Sequence, residues 1–297
     1  MQKILITGAN GFLGYYLTQQ LITKNYNIIA TCKGPYRLPL ESKNLLYETM
    51  DFTNEESIKN IFHKHQPHVV IHTGAISKPD ECELNKENAF RTNVSGTIYL
   101  LNNASLFKSF FVFLSSDFVF DGKKGMYEEE DATSPVNYYG ETKLLAEEEV
   151  KKYLYNWSIV RTVLVYGKTF SGRHNILTNV AQTLEKGEHL KIFNDQVRTP
   201  TYVEDLAKGI IAIVNKQAKG IYHLSGKNIL TPYQMAVAVA DYLHLNKLLI
   251  HKVNESDFEQ PARRPSLTGF TIAKAERDLG YTPVSFEEGL RKTFESK

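Results

Sequence analysis

The stretch KILITGANGFLG, residues 3–14, limits what this chain can become more than any other. An apolar run ends at Gly8, and Gly11 and Gly14 follow at intervals of three. A strand that turns on glycine straight into a helix has few uses. The first glycine permits a tight turn, the second lets a pyrophosphate approach the backbone, and the third lets helix and strand pack closely. The helix N-terminus then offers free N–H groups and a positive dipole end to an anion. A plain tight turn would also need glycine. Here the triplet lies between a strand and a helix, the context that marks a dinucleotide-binding unit.

The same alternation continues. Strand-like runs at 27–32, 45–50, 68–74, 110–116 and 157–167 are separated from one another and from the first by helix-like stretches at 12–24, 54–65, 85–105 and 137–155. Continuous apolar strands between helices predict a parallel sheet covered on both faces, with right-handed crossovers. The expected class is α/β, a Rossmann-type doubly wound parallel sheet with a smaller C-terminal substrate-binding lobe. Residues 1–167 form the expected NAD(P)-binding domain and 168–297 mainly the lobe, with elements near 190–226 returning to the sheet. A helix is predicted to begin near Val203, and another after the N-cap Thr231, with Pro232 at its first position.

Composition narrows the function. Hydrophobic residues make up 42% and charged residues 23%, with a formal net charge of +2. A basic nucleic-acid binder would carry a clear excess of Lys and Arg. Two cysteines, Cys32 and Cys82, do not make a disulfide scaffold and fit a reducing compartment. No leader or membrane span is visible, so a cytoplasmic location is expected.

The end of the second strand bears on the cofactor. An acid there accepts from the ribose 2′-hydroxyl of NAD. This chain has Thr31, Cys32, Lys33 and Gly34, then Arg37. Two cations and no acid favour the 2′-phosphate of NADP(H), with NAD(H) as the alternative and a solvated basic loop as the bland reading. Asp51, after the third strand, either caps the next helix in competition with Thr53 and Asn54 or accepts from the adenine amino group.

The reactive stretch is NYYGETK, residues 137–143. On a helix Tyr139 and Lys143 lie about 40° apart, and Tyr138 and Lys143 about 140° apart. Only Tyr139 shares the lysine's face. A free phenol has a pKa of about 10, and a nearby ammonium favours its phenolate. Such a tyrosine can protonate the alkoxide formed when hydride reaches a ketone. Ser115 and Ser116 end the strand FFVFLSS, at the carboxyl edge where ligands bind in such folds. A surface helix pair is the commoner origin of this spacing. The glycine turn and the strand-end serine together argue for a site.

With these pieces in place the chain resembles the extended short-chain dehydrogenase/reductase superfamily. The matching segments are TGANGFLG (7–14), Asp51, HTGA (72–75), Asn93 in RTNVSGT, LSSD (114–117), YGETK (139–143) and RTVLVYG (161–167). Within it, LSSDFVFDG, PVNYYGETKLLAE, NDQVRTPTYVEDLA and RRPSLTGF are most similar to the dTDP-4-dehydrorhamnose reductase family. The resemblance implies a catalytic set of Ser116, Tyr139 and Lys143, with Lys143 also holding the nicotinamide ribose. It implies a cofactor site of Gly8, Asn10, Gly11, Phe12, Leu13 and Gly14, with Lys33, Asp51, Phe52, Thr73, Gly74, Ala75 and Asn93. The implied reaction is reduction of the 4-keto group of a dTDP-hexose by NAD(P)H, dTDP-4-dehydrorhamnose giving dTDP-rhamnose. The family usually has Thr where Ser116 stands and often a polar residue at Phe12, and GFLG is more typical of epimerases.

Two alternatives share these residues. A nucleotide-sugar 4-epimerase would use the same Tyr, Lys and Ser with tightly held NAD. The methionine adenosyltransferase β subunit shares the fold and a similar strand end but acts by binding a partner enzyme. A 4,6-dehydratase needs an acid pair after the hydroxyl residue, and Asp117 is followed by Phe118.

On the substrate side, Arg198 and Arg264 are candidates because guanidinium forks suit diphosphates. Arg198 also matches an arginine that binds nucleotide diphosphate in epimerase and decarboxylase branches. An ordinary salt bridge is the bland reading of Arg264. Ser77, Lys78 and Asn175 complete the set, although Asn175 could serve only as a helix cap. His63, His65 and His68 diverge and are not expected to bind metal. The acidic run at 127–131 reads as a solvated loop. The expected partner is a nucleotide-sugar, with neither nucleic acid nor membrane, and a homodimer is the candidate assembly.

Overall fold

The computed structural model describes residues 1–170, 174–257 and 259–295. Its strands are β1 (Gln2–Thr7), β2 (Tyr26–Cys32), β3 (Leu45–Thr49), β4 (Val69–His72), β5 (Phe110–Ser116), β6 (Trp157–Thr162), β7 (Val165–Tyr166), β8 (Leu190–Phe193), β9 (Thr201–Tyr202), β10 (Gly220–His223) and β11 (Ile250–Val253). Its α-helices are α1 (Phe12–Leu21), α2 (Glu55–His65), α3 (Pro79–Leu84), α4 (Lys86–Phe90), α5 (Gly96–Leu106), α6 (Tyr138–Lys151), α7 (Ile176–Glu185), α8 (Val203–Lys216), α9 (Pro232–Tyr242), α10 (Ala273–Leu279) and α11 (Phe286–Phe294).

Seven strands form one parallel sheet in the order β10-β6-β5-β4-β1-β2-β3. This is the doubly wound sheet expected from the sequence. Its order reverses between β1 and β4, so a crevice opens at the carboxyl ends of these strands. Alternate residues of β1 face opposite ways. Ile4 and Ile6 join a core with Leu17 of α1, Leu206 and Ile210 of α8, and Ala275 of α10. Leu5 joins the other core, with Phe62 of α2, Leu100 of α5, and Ala146 and Val150 of α6. The smaller lobe has its own core, built on Leu177 and Val180 of α7, Met235 and Val239 of α9, Ile192, Ile250 and Leu290.

Three elements differ from the sequence reading. The run at 157–167 is two strands, because Leu164 takes a φ of 33° and turns the chain out of the main sheet. The strand at 190–193 does not return to that sheet but pairs with β11 in the lobe. The single helix expected over 85–105 is α4, a π-turn at Arg91–Ser95 and α5 in succession. The later elements that do return are α8 and β10, and α10 follows them onto the same core. Among the described residues no helix is long and apolar enough to cross a membrane.

The glycine turn shows why this start is obligatory. Gly8 has a φ of +69°, which favours glycine. A Cβ on Gly14 would lie 2.7 Å from the Ala9 Cα and closer still to the Gly8 carbonyl oxygen. Backbone lies there, so nothing can yield. Gly14→Ala is expected to destabilise the fold by about 1–3 kcal/mol, the usual cost of overpacking. An unchanged urea midpoint would contradict this packing account.

Candidate functional site

Helix α6 starts under three restraints. Asn137 caps it, its Oδ1 accepting from Gly140 N at 2.9 Å. The amide of the same Asn137 donates to the Arg263 carbonyl at 2.6 Å. Glu83 of α3 accepts from Tyr138 N at 3.0 Å, satisfying another N–H of the first turn. The helix thus presents Tyr139 and Lys143, both buried, to a cleft of about 470 Å³. Tyr138 does not line it and instead carries the Lys86 ammonium 5.0 Å from its ring centroid.

The cleft spans the carboxyl edge of the sheet. Gly8, Gly11, Phe12, Leu13 and Gly14 line one end, and Thr73, Ala75 and Ser77 follow from the segment after β4. Ser115, Ser116, Asp117 and Phe118 line the middle with Tyr139 and Lys143. Leu164, Val165, His174, Asn175 and Ile176 form the wall toward the lobe.

At the glycine end, Gly11 is the N-cap of α1 and no side chain caps its N–H groups. Asn10 folds the segment after β2 over this turn, donating to the Pro35 carbonyl at 2.8 Å and accepting from Arg37 N at 3.2 Å. A cradle without Cβ atoms beneath an uncapped helix end fits a dinucleotide pyrophosphate. Lys33 pairs with Asp51 at 2.8 Å, and Asp51 also accepts from Thr53 N and Oγ1. Asn54, not Asp51, caps α2. Phe52 packs against Gly74, where a Cβ would lie 2.5 Å from its ring.

Behind the cleft, a buried chain of hydrogen bonds fixes β4. Thr97 Oγ1 donates to the Asn93 carbonyl, so His72 Nε2 must donate to Thr97 and Nδ1 accept from Thr7 Oγ1 at 2.7 Å. Burial, and secondarily the Lys143 charge, pull the His72 pKa to about 3, so the ring is neutral. Asn93 accepts from Ile76 N at 2.8 Å and donates to the Ile76 carbonyl and Thr142 Oγ1, both at 3.0 Å. It therefore braces the loop after β4 against α6 without lining the cleft.

At the reactive end, Ser116 Oγ donates to Asp117 Oδ1 at 3.0 Å and accepts from Phe118 N at 3.2 Å, and it lines the cleft together with Tyr139. The Ser115 hydroxyl instead donates to Glu147. Burial raises the Tyr139 pKa, with Asp117 and Cys82 adding to the rise and the nearby Ser116 hydroxyl opposing it. Burial also lowers Lys143 to about 7, against the raising pull of Glu147 and Cys82. This corrects the expectation of an ammonium depressing the phenol. In so enclosed a place burial sets the direction, and the phenol keeps its proton. Asp117 is raised by burial too, although Arg198, Thr268 and Ser116 pull it down.

The substrate-side candidates fare unevenly. Ser77 lines the cleft, and Lys78 is exposed beside it without lining it. Asn175 lines it as well, but its amide caps α7 and donates to the Gly167 carbonyl. Arg198 is buried and does not line the cleft, because its donors go to the Val197, Pro265 and Ser266 carbonyls. Arg264 makes a two-pronged pair with Asp80, at 2.5 and 2.7 Å, rather than facing the cleft. Of the histidines, His65 pairs with Glu48 and His68 accepts from Lys3 N. Cleft residues that the sequence did not single out as site residues include Pro79, Asp117, Leu164, His174 and Ile176. An Arg inside the apolar strand WSIVRT was a readable sign of a buried partner, and that partner is Glu147.

Family comparison agrees with this architecture. The model of the RmlD substrate binding domain matches residues 1–297. The chain belongs to the RmlD family. Spore coat polysaccharide biosynthesis protein SpsK of Bacillus subtilis (strain 168) is 28% identical over 298 residues, covering 100% of this chain and 98% of that protein. The methionine adenosyltransferase 2 subunit beta of Rattus norvegicus is 30% identical over 281 residues, covering 93% of this chain and 82% of that protein. The dTDP-4-dehydrorhamnose reductase of Bacillus anthracis, solved in complex with NADP, superposes with a TM-score of 0.86 at 28% identity, covering 99% of each chain. The resemblance read from the sequence is thus borne out at the level of the RmlD family.

Asn93 joins two elements of this RmlD-type site through buried bonds. Asn93→Ala is expected to lower stability by about 1–3 kcal/mol, the cost of leaving buried polar partners unsatisfied. A thermal midpoint equal to that of the parent protein would refute the brace.

Proposed function

We propose that this protein reduces the 4-keto group of a nucleotide-linked sugar with NAD(P)H, NADP(H) being preferred and a dTDP-4-keto-6-deoxyhexose being the substrate. The observation that carries this reading is one cleft holding a glycine-lined, uncapped helix end together with Ser116, Tyr139 and Lys143.

NADPH, when bound, supplies the hydride. Gly8, Gly11 and Gly14 hold the pyrophosphate, and Lys143 holds the nicotinamide ribose. The Tyr139 hydroxyl donates its proton to the carbonyl oxygen as that oxygen gains negative charge. Burial suits this direction of the reaction, because an acid must enter the step protonated. Ser116 hydrogen-bonds the same oxygen and fixes its position. Lys33 meets the ribose 2′-phosphate by exchanging its Asp51 partner, which is an inexpensive exchange for an ion pair whose lysine is 74% exposed.

Two outcomes test this reading. Tyr139→Phe is expected to cut turnover about 100- to 10,000-fold, the usual worth of a positioned acid, with NADPH binding retained. The assay follows loss of nicotinamide absorbance with dTDP-4-keto-6-deoxy-mannose as substrate. Full activity in the variant would sink the mechanism. Lys33→Glu is expected to lower the preference for NADPH over NADH about tenfold, equivalent to losing one charge-assisted contact. An unchanged ratio would remove Lys33 from the 2′-phosphate site.

A second reading has two observations in its favour. Arg198 and Arg264, the guanidinium groups suited to a diphosphate, are both engaged within the protein, and β-subunit relatives of methionine adenosyltransferase are as similar as the reductases. A binding subunit would hold the dinucleotide without turning over a keto-sugar. Turnover in the same assay excludes that role as the sole function.

A further inference from the structure

Tyr139, Lys143 and Glu147 recur every four residues along α6 and form one stripe. The first two line the cleft, and the third lies wholly inside the protein. Both oxygens of Glu147 are taken. Arg161 Nε donates to Oε1 at 3.0 Å and Nη2 to Oε2 at 2.7 Å, and Ser115 Oγ donates to Oε1 at 2.5 Å. Arg161 is equally enclosed, with its third arm on the Glu129 carbonyl and its guanidinium 5.0 Å from the Phe120 ring centroid.

The surroundings of Lys143 leave Glu147 as its counter-charge. On β5 the lysine meets the Phe113 ring, 4.1 Å from its centroid. From β4 comes His72, which is neutral. From α3 comes Cys82, whose thiol is raised to about 11 by burial. Tyr139, on its own helix, keeps its proton. Asp117 acts on Tyr139 and is paired with Arg198. Arg161 therefore binds the Glu147 carboxylate directly, and Lys143, one helical turn away on α6, has that same carboxylate as its nearest counter-charge. Without its charge, two like charges would remain in a low-dielectric place. Arginine does not give up its proton, so lysine would.

We propose that Glu147 is a positioning residue for the reactive pair, keeping Lys143 protonated across its own helix and anchoring the end of β5 beside Ser116 through the Ser115 hydroxyl. The inference rests on the proposed reduction only in that Lys143 there serves the cofactor. The charge relation itself is a property of the free protein.

The test reads Lys143 directly. Its rate of acetylation by acetic anhydride is followed against pH by peptide mass spectrometry, alongside NADPH binding by fluorescence. In the parent protein Lys143 is expected to titrate near its lowered value of about 7. In Glu147→Gln the midpoint should move down by about one unit or more, as expected for a buried cation left beside a like charge, and NADPH binding should weaken at correspondingly lower pH. Adding Arg161→Met removes the competing cation and should return the midpoint toward that of the parent. Glu147→Asp keeps the charge and should titrate as the parent does, which covers the case in which the Gln variant does not fold. An unmoved midpoint in Glu147→Gln overturns the proposal, as does a shifted one in Glu147→Asp. So does an equal shift in the single and double variants, which would assign Glu147 to packing alone. Failure of the parent protein to bind NADPH would sink the reduction reading while leaving the lysine titration to decide this one.

Discussion

Helix α6 reaches the end of β5 through a position that has no side chain. A Cβ on Gly140 would collide with the Phe118 carbonyl oxygen and lie 2.9 Å from Pro135 Cβ. Because the helix can sit that close, Tyr139 enters the cleft that Ser116 also lines. The approach is then locked from several directions. Asn137 ties the helix start to the 263 backbone, Glu83 ties it to α3, and Asn93 ties Thr142 to the loop after β4. One helix therefore sets the distances among elements that lie far apart in the chain. Each restraint is modest, since a typical hydrogen bond contributes about 1 kcal/mol net. Their value lies in geometry, because a reacting pair misplaced by about 1 Å can lose two orders of magnitude in rate.

What could be read from the sequence divides along physical lines. The β1 turn into α1 was legible because its glycines answer to local backbone geometry, and Gly8 indeed takes a positive φ. The apolar strands were legible because burial on both faces demands continuous apolar runs. The break at Leu164 was not, since a turn made by a partly buried apolar residue leaves the apolar run unbroken. Nor was the pairing of β8 with β11, which joins strands 60 residues apart across the lobe, 250 opposite 190. On α6 the helical period separated Tyr139 from Tyr138, and the structure places only Tyr139 on the cleft. The protonation of the site could not be read that way. Spacing brings Lys143 beside Tyr139, but burial, a property of the whole fold, decides that the phenol keeps its proton and the ammonium holds it weakly.

The two arginines show the same limit more sharply. A guanidinium fork fits a diphosphate, a carboxylate or a set of carbonyls equally well, so residue type alone cannot choose. In the fold, Arg198 gathers the carbonyls of Val197, Pro265 and Ser266 and stands 3.8 Å from Asp117. Arg264 holds Asp80, with Ala262 N donating to the same carboxylate. Between them they fasten the 262–268 segment, which also meets the site through Asn137 and through Thr268 on Asp117.

These two fastenings differ in what it costs to undo them. Arg198 and Asp117 are 5% and 3% exposed, and separating such a pair strands a buried charge, at a cost of about 3–5 kcal/mol. Arg264 is 17% exposed and its partner Asp80 41%, so water reaches this pair and breaking it costs less than breaking the enclosed one. The Arg264 pair is thus open to water, whereas Arg198 is enclosed with its carbonyl partners and Asp117. The arginine whose salt bridge looked the more ordinary is the one water reaches, because exposure rather than residue type separates the two pairs.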